Sequence, residues 1–161
     1  MLFEVAHPMT RTFVVLFSLA LAASQAFSQA PVAQSEVMVP IHSFFDAIAH
    51  RDKAAMITQS VPKMEVMINS EGQLRHQTID DLADRVVNLK GGSLAEPIHD
   101  PIIQIGNDIA SVWAPFAFTI DGKPINCGTD VFTLLKLDGK WVIVSLSYNS
   151  QKTCELTPKA Q

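Results

Sequence analysis

The chain has 161 residues, 48% of them hydrophobic, and a formal net charge of −4 at pH 7. This length and composition fit one compact domain with a single core. The acidic balance and the absence of a basic stripe argue against a nucleic-acid-binding protein.

Residues 1–30 have the pattern of an export signal. Arg11 precedes an apolar stretch over residues 13–23, and small residues follow at the positions that a signal peptidase reads. Cleavage fits equally after Ala26 or after Ala30. A membrane anchor is the alternative, but the apolar run is shorter than the ~20 residues that span a bilayer. We therefore expect a periplasmic or secreted protein that is free of the membrane after cleavage.

The chain divides into one domain with short flanking segments. The start of translation stays open between Met1 and Met9. We predict a signal peptide at 1–30, a disordered lead-in at 31–36, the folded domain at 37–156 and a C-terminal tail at 157–161.

Three helices are predicted from apolar spacing and capping residues. The first begins between Ser35 and Pro40, because proline is tolerated only in the first turn of a helix. The second is capped by Asp52, and a capping-box variant at Thr78 opens the third, which Gly91-Gly92 ends. The buried positions of the first helix are Ile41, Phe44, Phe45 and Ile48.

The far side of the first helix carries His42, Asp46 and His50 at spacings of four residues. Such a stripe has the residue types that bind metals, but it points away from the apolar face and no further ligand is placed beside it. We interpret it as a solvated face and predict no metal site and no cofactor.

Alternating apolar residues predict the strands, and two Asp-Gly pairs predict the hairpins between them. The turns are Asp121-Gly122 and Asp138-Gly139. Helices precede most of the sheet, so we predict an α+β fold with three helices on one face of an antiparallel sheet. The predicted strands are 63–69, 73–77, 95–106, 109–120, 125–137 and 140–150.

An uninterrupted ladder from the second hairpin assigns the two faces of the sheet. It pairs Val131 with Leu146 and Thr129 with Tyr148 on the apolar face, which we place beneath the helices. The opposite face then has more aromatic surface than a monomer normally exposes, so we expect a homodimer. The alternative is that the C-terminal tail or a long loop covers this face. The residues predicted to form the dimer contact are Trp113, Phe132, Leu134, Trp141 and Ile143.

The two cysteines, Cys127 and Cys154, can pair in an oxidising compartment. A disulfide requires the chain after Tyr148 to turn back over the sheet. The alternative is one buried thiol and one free thiol near the C-terminus.

Several short motifs occur in a recognisable order between Val37 and Cys154. They are Phe44-Phe45, Arg51-Asp52, the turn at 106–110, the segment 112–116, Asp121-Gly122, Cys127-Gly128 and the turn at 138–141. In this order they resemble the nuclear transport factor 2-like (NTF2-like) superfamily, most of all its exported branch labelled SnoaL-like or lumazine-binding. The resemblance implies a cone-shaped, cystatin-like fold with three helices on a curved, mostly antiparallel sheet.

The resemblance also implies a pocket between the helices and the sheet, and dimers through the opposite sheet face. It implies no single activity, since the fold carries enzymes and binding modules alike. Our first hypothesis is an exported small-molecule-binding or accessory domain with a largely apolar pocket and a small apolar ligand. The side chains expected to line the pocket are Phe44, Phe45, Phe116, Thr129, Tyr148 and His99.

No residue set in the sequence predicts a reaction, and we assign no catalytic residue. A ketosteroid isomerase-like mechanism needs a carboxylate base and hydroxyl or protonated carboxyl donors. The first helix offers Phe44 and Phe45 instead, and the third long strand offers Val131. The uninterrupted ladder places Asp130 on the outer face, which argues against this activity.

The second hypothesis is an enzyme, similar to an isomerase, cyclase or dehydratase, that transfers a proton on a small hydrophobic substrate. Its candidate groups are His99, Asp100 and Tyr148. For each of them a structural position, at a solvated strand end or in the core, is the competing interpretation.

Overall fold

The computed structural model describes residues 26–154. Residues 1–25, which hold most of the predicted signal peptide, lie outside the described part, and so does the tail predicted at 157–161. Within residues 26–154, no helix has both the length and the apolar content needed to cross a bilayer.

The first helix, α1 (Ala26–His50), is longer than predicted. It includes residues 31–36, which we expected to be disordered, and it continues through Pro40. Proline in a helix interior removes one backbone hydrogen bond. Val37 and Ile41 on either side of it are completely buried, and this burial favours a continuous helix over a break.

Capping residues set the starts of the two shorter helices, as predicted. The Asp52 carboxylate accepts a hydrogen bond of 2.9 Å from the first turn of α2 (Lys53–Thr58). Thr78 and Asp81 form a reciprocal capping box at the start of α3 (Ile79–Val87).

Residues 26–154 contain seven strands, and one long predicted strand is divided. Residues 95–106 form two short strands rather than one, because Pro97 and Pro101 lack the N–H groups that a continuous ladder needs. The strands are β1 (Ser60–Ser70), β2 (Gln73–Thr78), β3 (Leu94–Ala95), β4 (Ile102–Ile105), β5 (Ile109–Ile120), β6 (Lys123–Leu137) and β7 (Lys140–Ser150).

All seven strands belong to one sheet in the order β2-β1-β7-β6-β5-β3, with β4 also paired to β5. The contact between β1 and β7 is parallel and the others are antiparallel. The sheet is open and curved, and this confirms the predicted α+β fold. Both Asp-Gly turns are also confirmed, with φ of 52° and 73° at Asp121 and Gly122, and of 49° and 79° at Asp138 and Gly139.

Two bulges interrupt the ladders that the sequence pattern treats as regular. Ile125 has no partner in the pairing of β6 with β5, and Val144 has none in the pairing of β7 with β6. Each bulge shifts the register by one residue, and a shift of one residue moves side chains to the opposite face. Leu146 therefore pairs with Phe132, and Tyr148 pairs with Asp130.

We use "inner face" for the sheet face that packs against the helices and "outer face" for the other. The prediction is correct for β5 and for the end of β7, whose Leu146 is buried on the inner face. It is wrong for β6 and for the start of β7. The inner side chains there are Asp130, Phe132, Leu134 and Ile143, and Thr129 and Val131 lie on the outer face.

Candidate functional site

A cavity of about 320 Å³ lies between the helices and the inner face of the sheet. Its apolar walls include Phe44 and Phe45 from α1 and Phe116 and Phe118 from β5. The rings of Phe44 and Phe45 stand edge to face, 5.7 Å apart. The polar side chains that line the cavity are Arg75, Arg85, Glu96, Asn126, Asp130 and Tyr148, together with Ser150.

Asp130 is the most buried polar group of the cavity. It lies on the inner face of β6, opposite Ala114 on one side and Tyr148 on the other, and it is 3% exposed. Its Oδ2 atom is buried without a hydrogen-bond partner among the described residues. Burial, with a smaller contribution from the nearby Glu96 carboxyl, raises the pKa of Asp130 well above its ordinary value.

Glu96 supplies a second carboxyl, from the segment that follows β3. Burial raises the pKa of Glu96 from 4.5 to about 7, and the positive charge of Arg85 opposes this shift. Because the two carboxyls interact, they titrate as a pair and not as independent groups. At neutral pH the pair therefore holds at least part of one proton.

Tyr148 on β7 lies opposite Asp130 in the ladder and is held by Arg85 of α3. An Arg85 Nη donates a hydrogen bond of 2.9 Å to the Tyr148 hydroxyl, and the other Nη donates one of 3.2 Å to Gln77. The Phe116 ring stands edge to face with Tyr148 at 6.2 Å. Because arginine only donates, the hydroxyl hydrogen of Tyr148 stays available to another acceptor. Burial raises the pKa of Tyr148, so the group is a phenol at neutral pH.

This arrangement can hold a small molecule by shape and hydrogen bonds, and it can exchange protons with it. A protonated carboxyl offers one donor and one acceptor, and the phenol offers a donor. Within residues 26–154, no group of three His, Cys, Asp or Glu side chains could hold a metal ion.

Four of the six side chains predicted for the pocket line this cavity: Phe44, Phe45, Phe116 and Tyr148. The prediction for Thr129 is wrong, because the register shift places it in a groove on the outer face. The prediction for His99 is also wrong. Its backbone N–H bonds to Pro115 at 2.8 Å and its side chain is exposed, as is that of Asp100.

The pocket is also more polar than predicted, because its lining includes two carboxyls, Glu96 and Asp130, that were not among the predicted residues. We placed Asp130 on the outer face and concluded that the third long strand offers no acid, and the bulge at Ile125 overturns this conclusion. The sequence did contain one indication that Asp130 is unusual, since aspartate is depleted in strand interiors. Asp130 also shares its face with Phe132 and Leu134, the larger apolar residues of β6. No comparable signal marks Glu96.

The predicted dimer surface is wrong in four of its five residues. Phe132, Leu134 and Ile143 are completely buried beneath the helices. Trp141 is partly buried against the core, with the Lys136 ammonium 5.6 Å from its ring centre. Of the five, Trp113 alone lies on the outer face, where it is 51% exposed.

A disulfide joins Cys127 on β6 to Cys154, with the two Cα atoms 5.5 Å apart. Backbone hydrogen bonds of 2.8 Å and 3.0 Å between Cys127 and Gln151 extend the pairing beyond the end of β7. The chain therefore stays in register with β6 as far as Gln151, and the bend at residues 152–153 brings Cys154 to Cys127. This segment adjoins the cavity, since Asn126 and Ser150 line it.

Solved structures of NTF2-like proteins have the same fold. A protein of unknown function from Pseudomonas putida KT2440 superposes with a TM-score of 0.66, covering 80% of this chain and 99% of that chain at 12% identity. One from Shewanella baltica OS155 gives 0.62, covering 77% and 98% at 21% identity. A protein with a cystatin-like fold from Nostoc punctiforme PCC 73102 gives 0.61, covering 78% and 96% at 12% identity. At these identities the similarity shows the fold alone.

The sequence comparison identifies the family within this class. The chain belongs to the family described as "Putative lumazine-binding", whose profile matches residues 33–149. This confirms the resemblance to the NTF2-like superfamily and its lumazine-binding branch. No functionally curated protein matches the sequence.

Proposed function

We propose that the protein is a small-molecule-binding domain and that the cavity between the helices and the sheet is its binding site. The observation that carries this proposal is Asp130, a carboxyl whose Oδ2 atom is buried without a partner in the wall of that cavity. A buried polar group without a partner costs about 1–3 kcal/mol, which a ligand that pairs with it would recover.

The size and the walls of the cavity support the same function. A volume of about 320 Å³ falls at the lower end of the range for small-molecule sites. Four phenylalanines surround it and a few polar groups converge on it, as in many ligand pockets. The family description suggests lumazine, a flat two-ring heterocycle, as a first compound to test.

The test is a thermal-shift screen of flat one-ring and two-ring compounds, lumazine among them, against two variants of one strand. Ser150 lines the cavity, and Ser145 lies on the outer face of the same strand. We expect the wild type and Ser145→Trp to be stabilised by the same compounds, and Ser150→Trp to lose the response because its indole fills the opening. Equal responses in both variants, or no response from any compound, would contradict the proposal.

A second candidate function is a proton-transfer enzyme, and the carboxyl pair is the observation that favours it. A group with a pKa of about 7, as for Glu96, can both accept and donate protons at neutral pH. His99 and Asp100, the earlier candidates, lie outside the cavity, so Glu96 and Asp130 would take this role. The check is deuterium exchange at carbon in a bound compound, which Glu96→Gln should abolish. A bound compound that keeps all its carbon-bound hydrogens would argue for binding alone.

We also propose that the protein is exported and acts in the periplasm or outside the cell. The sequence pattern of residues 1–30 and the disulfide support this location, because disulfides persist in oxidising compartments. Mass spectrometry of the protein from a fractionated cell would find an N-terminus after Ala26 or Ala30. A full-length chain in the cytoplasm would contradict the proposal.

We further propose that two copies associate through the outer face of the sheet. Trp113 is 51% exposed there, and it borders a groove that Met67, Val131 and the 68% exposed Leu74 also line. Burial of these side chains in a dimer would remove them from water.

A further inference from the structure

The surroundings of Asp130 determine the protonation state of its carboxyl, because they bury the group without an ion-pair partner. The side chain is 3% exposed, and none of the ion pairs within residues 26–154 includes it. An ionised carboxylate that is buried without a cation is strongly disfavoured relative to the neutral acid. Asp130 therefore presents a carboxylic acid to the cavity, with one donor and one acceptor in a single plane.

A planar, neutral carboxylic acid is complementary to the hydrogen-bonding edge of a cyclic amide or imide. In a cyclic amide or imide, an N–H and a C=O lie side by side in the ring plane. The acid can donate to that C=O and accept from that N–H, which forms two parallel hydrogen bonds. We propose that the ligand of the cavity is a planar ring with such an amide edge, and that the protonated Asp130 carboxyl binds this edge. This inference rests on the proposed small-molecule-binding function.

The walls of the cavity favour a flat ring over a flexible chain. Phe116 and Phe118 of β5 are buried beside Asp130 and line the same cavity. Tyr148, which pairs with Asp130 across the ladder, places its ring edge to face with Phe116. Aromatic side chains in these orientations can stack on a planar ring or meet its edge.

The charges around the cavity disfavour a cationic ligand, which is the main alternative partner for an acidic group. The charged and titratable groups that face Asp130 from neighbouring elements are Arg75 of β2, Arg85 of α3, Glu96 after β3 and Tyr148 of β7. The two arginines are exposed at the opening, so a cation would have to pass two guanidinium groups. Arg85 also offsets the charge of Glu96 when Glu96 is ionised.

The proposed contact makes binding depend on pH in a definite direction. When the Asp130 carboxyl loses its proton, it loses its donor and repels the carbonyl oxygen of the ligand. Affinity for a neutral cyclic amide should therefore fall as pH rises. A cationic ligand would show the opposite trend, because it would bind the ionised carboxylate more tightly.

The test is calorimetric titration of the full chain with three probes, from mildly acidic to mildly alkaline buffer. The probes are 2-quinolone, which has an amide edge and does not ionise in this range, N-methyl-2-quinolone, which lacks the N–H, and benzylamine, a cation. We expect 2-quinolone to bind about tenfold more tightly than its N-methyl analogue, and its affinity to fall as pH rises.

Two variants isolate the role of Asp130. Asp130→Asn keeps a donor and an acceptor in one plane, so it should bind 2-quinolone with no pH dependence. Asp130→Leu keeps a similar volume without polar atoms, so it should bind both quinolones equally. Near-ultraviolet circular dichroism of each variant shows whether the core around residue 130 is intact.

The outcomes separate this inference from the proposed function. The proposed contact between Asp130 and an amide edge would be wrong if the wild type bound the two quinolones equally, or if it bound benzylamine more tightly as pH rises. Neither result would contradict small-molecule binding. The same holds if neither quinolone binds while other compounds of the thermal-shift screen do. If no compound of either experiment binds, the inference and the proposed function both fail.

Discussion

A buried carboxyl with no cation beside it is more stable with its proton bound than without it. Burial raises the pKa of both Asp130 and Glu96. The Glu96 carboxyl adds to the shift at Asp130, and the Arg85 guanidinium opposes the shift at Glu96. At the scale of single residues, the pair therefore links folding and ligand binding to pH. A core of apolar residues alone would give neither dependence.

Glu96→Gln should flatten the dependence of stability on pH. The pKa of Glu96 is raised from 4.5 to about 7, so the folded state binds this proton more tightly than the unfolded state. The contribution is fully present below about pH 4.5 and is lost as pH rises through about 7. We expect the wild type to lose on the order of 3 kcal/mol across this window, and Glu96→Gln to lose much less.

The measurement is urea unfolding of the full chain at a series of pH values. Asp46→Asn is the matched control, because Asp46 is an exposed carboxyl on α1. Its curve should follow that of the wild type. Parallel curves for the wild type and Glu96→Gln would show that this carboxyl is not buried in its neutral form.

At the scale of the secondary-structure elements, the two bulges determine which side chains of β6 reach the core. Phe132 is completely buried on the inner face, and its neighbour Val131 is partly buried on the outer face. Phe132→Ala should therefore cost about 3–5 kcal/mol of unfolding free energy, and Val131→Ala about 1 kcal/mol or less. Chemical denaturation measures both. A larger loss of unfolding free energy for Val131→Ala than for Phe132→Ala would contradict the bulges and support an uninterrupted ladder.

The disulfide links β6 to the segment that follows β7. Cys127 and Cys154 are 27 residues apart, and a closed loop of that length restricts the unfolded chain by about 3 kcal/mol. Replacing both by serine should lower the unfolding free energy by about this amount. Wild type in reductant should match the double variant. An unchanged denaturation midpoint would show that the bond does not stabilise the fold.

The positions of the elements could be predicted from the sequence, but the faces of β6 could not. Asp-Gly turns need positive φ at both central residues, and this requirement is visible in the residue types at 121–122 and 138–139. A bulge has no comparable signature. Ile125 and Val144 have ordinary strand residue types, and both faces of β6 contain apolar side chains, so alternation alone leaves its register ambiguous.

The start of α1 was missed for a related reason. Proline at position 40 predicts a boundary from local backbone chemistry, and the burial of Val37 and Ile41 against the rest of the protein overrides it. The cavity residues on α1, β5 and β7 were predicted because each element shows its apolar face clearly. Glu96 lies in an irregular segment, where no periodicity indicates what a side chain contacts.

At the scale of the whole molecule, the outer face is the surface that a second copy would cover. Trp113→Glu should convert a dimer into a monomer, because it places a charge among the exposed apolar side chains of this face. Val39→Glu is the control, since Val39 is exposed on α1 and lies away from the sheet. Light scattering gives the molar mass. A monomeric wild type, or a dimer that tolerates Trp113→Glu, would contradict the proposed association.

The protonation state of Asp130 connects these scales, because it depends on the register of β6, forms the polar end of the cavity and determines the proposed ligand. Carbon-13 NMR titration of the Asp130 carboxyl in the full chain measures it directly, with Asp130→Asn to assign the signal. We expect the carboxyl to stay protonated in mildly acidic buffer, well above the ordinary aspartate pKa of 3.8. Titration at or below that value would contradict the account.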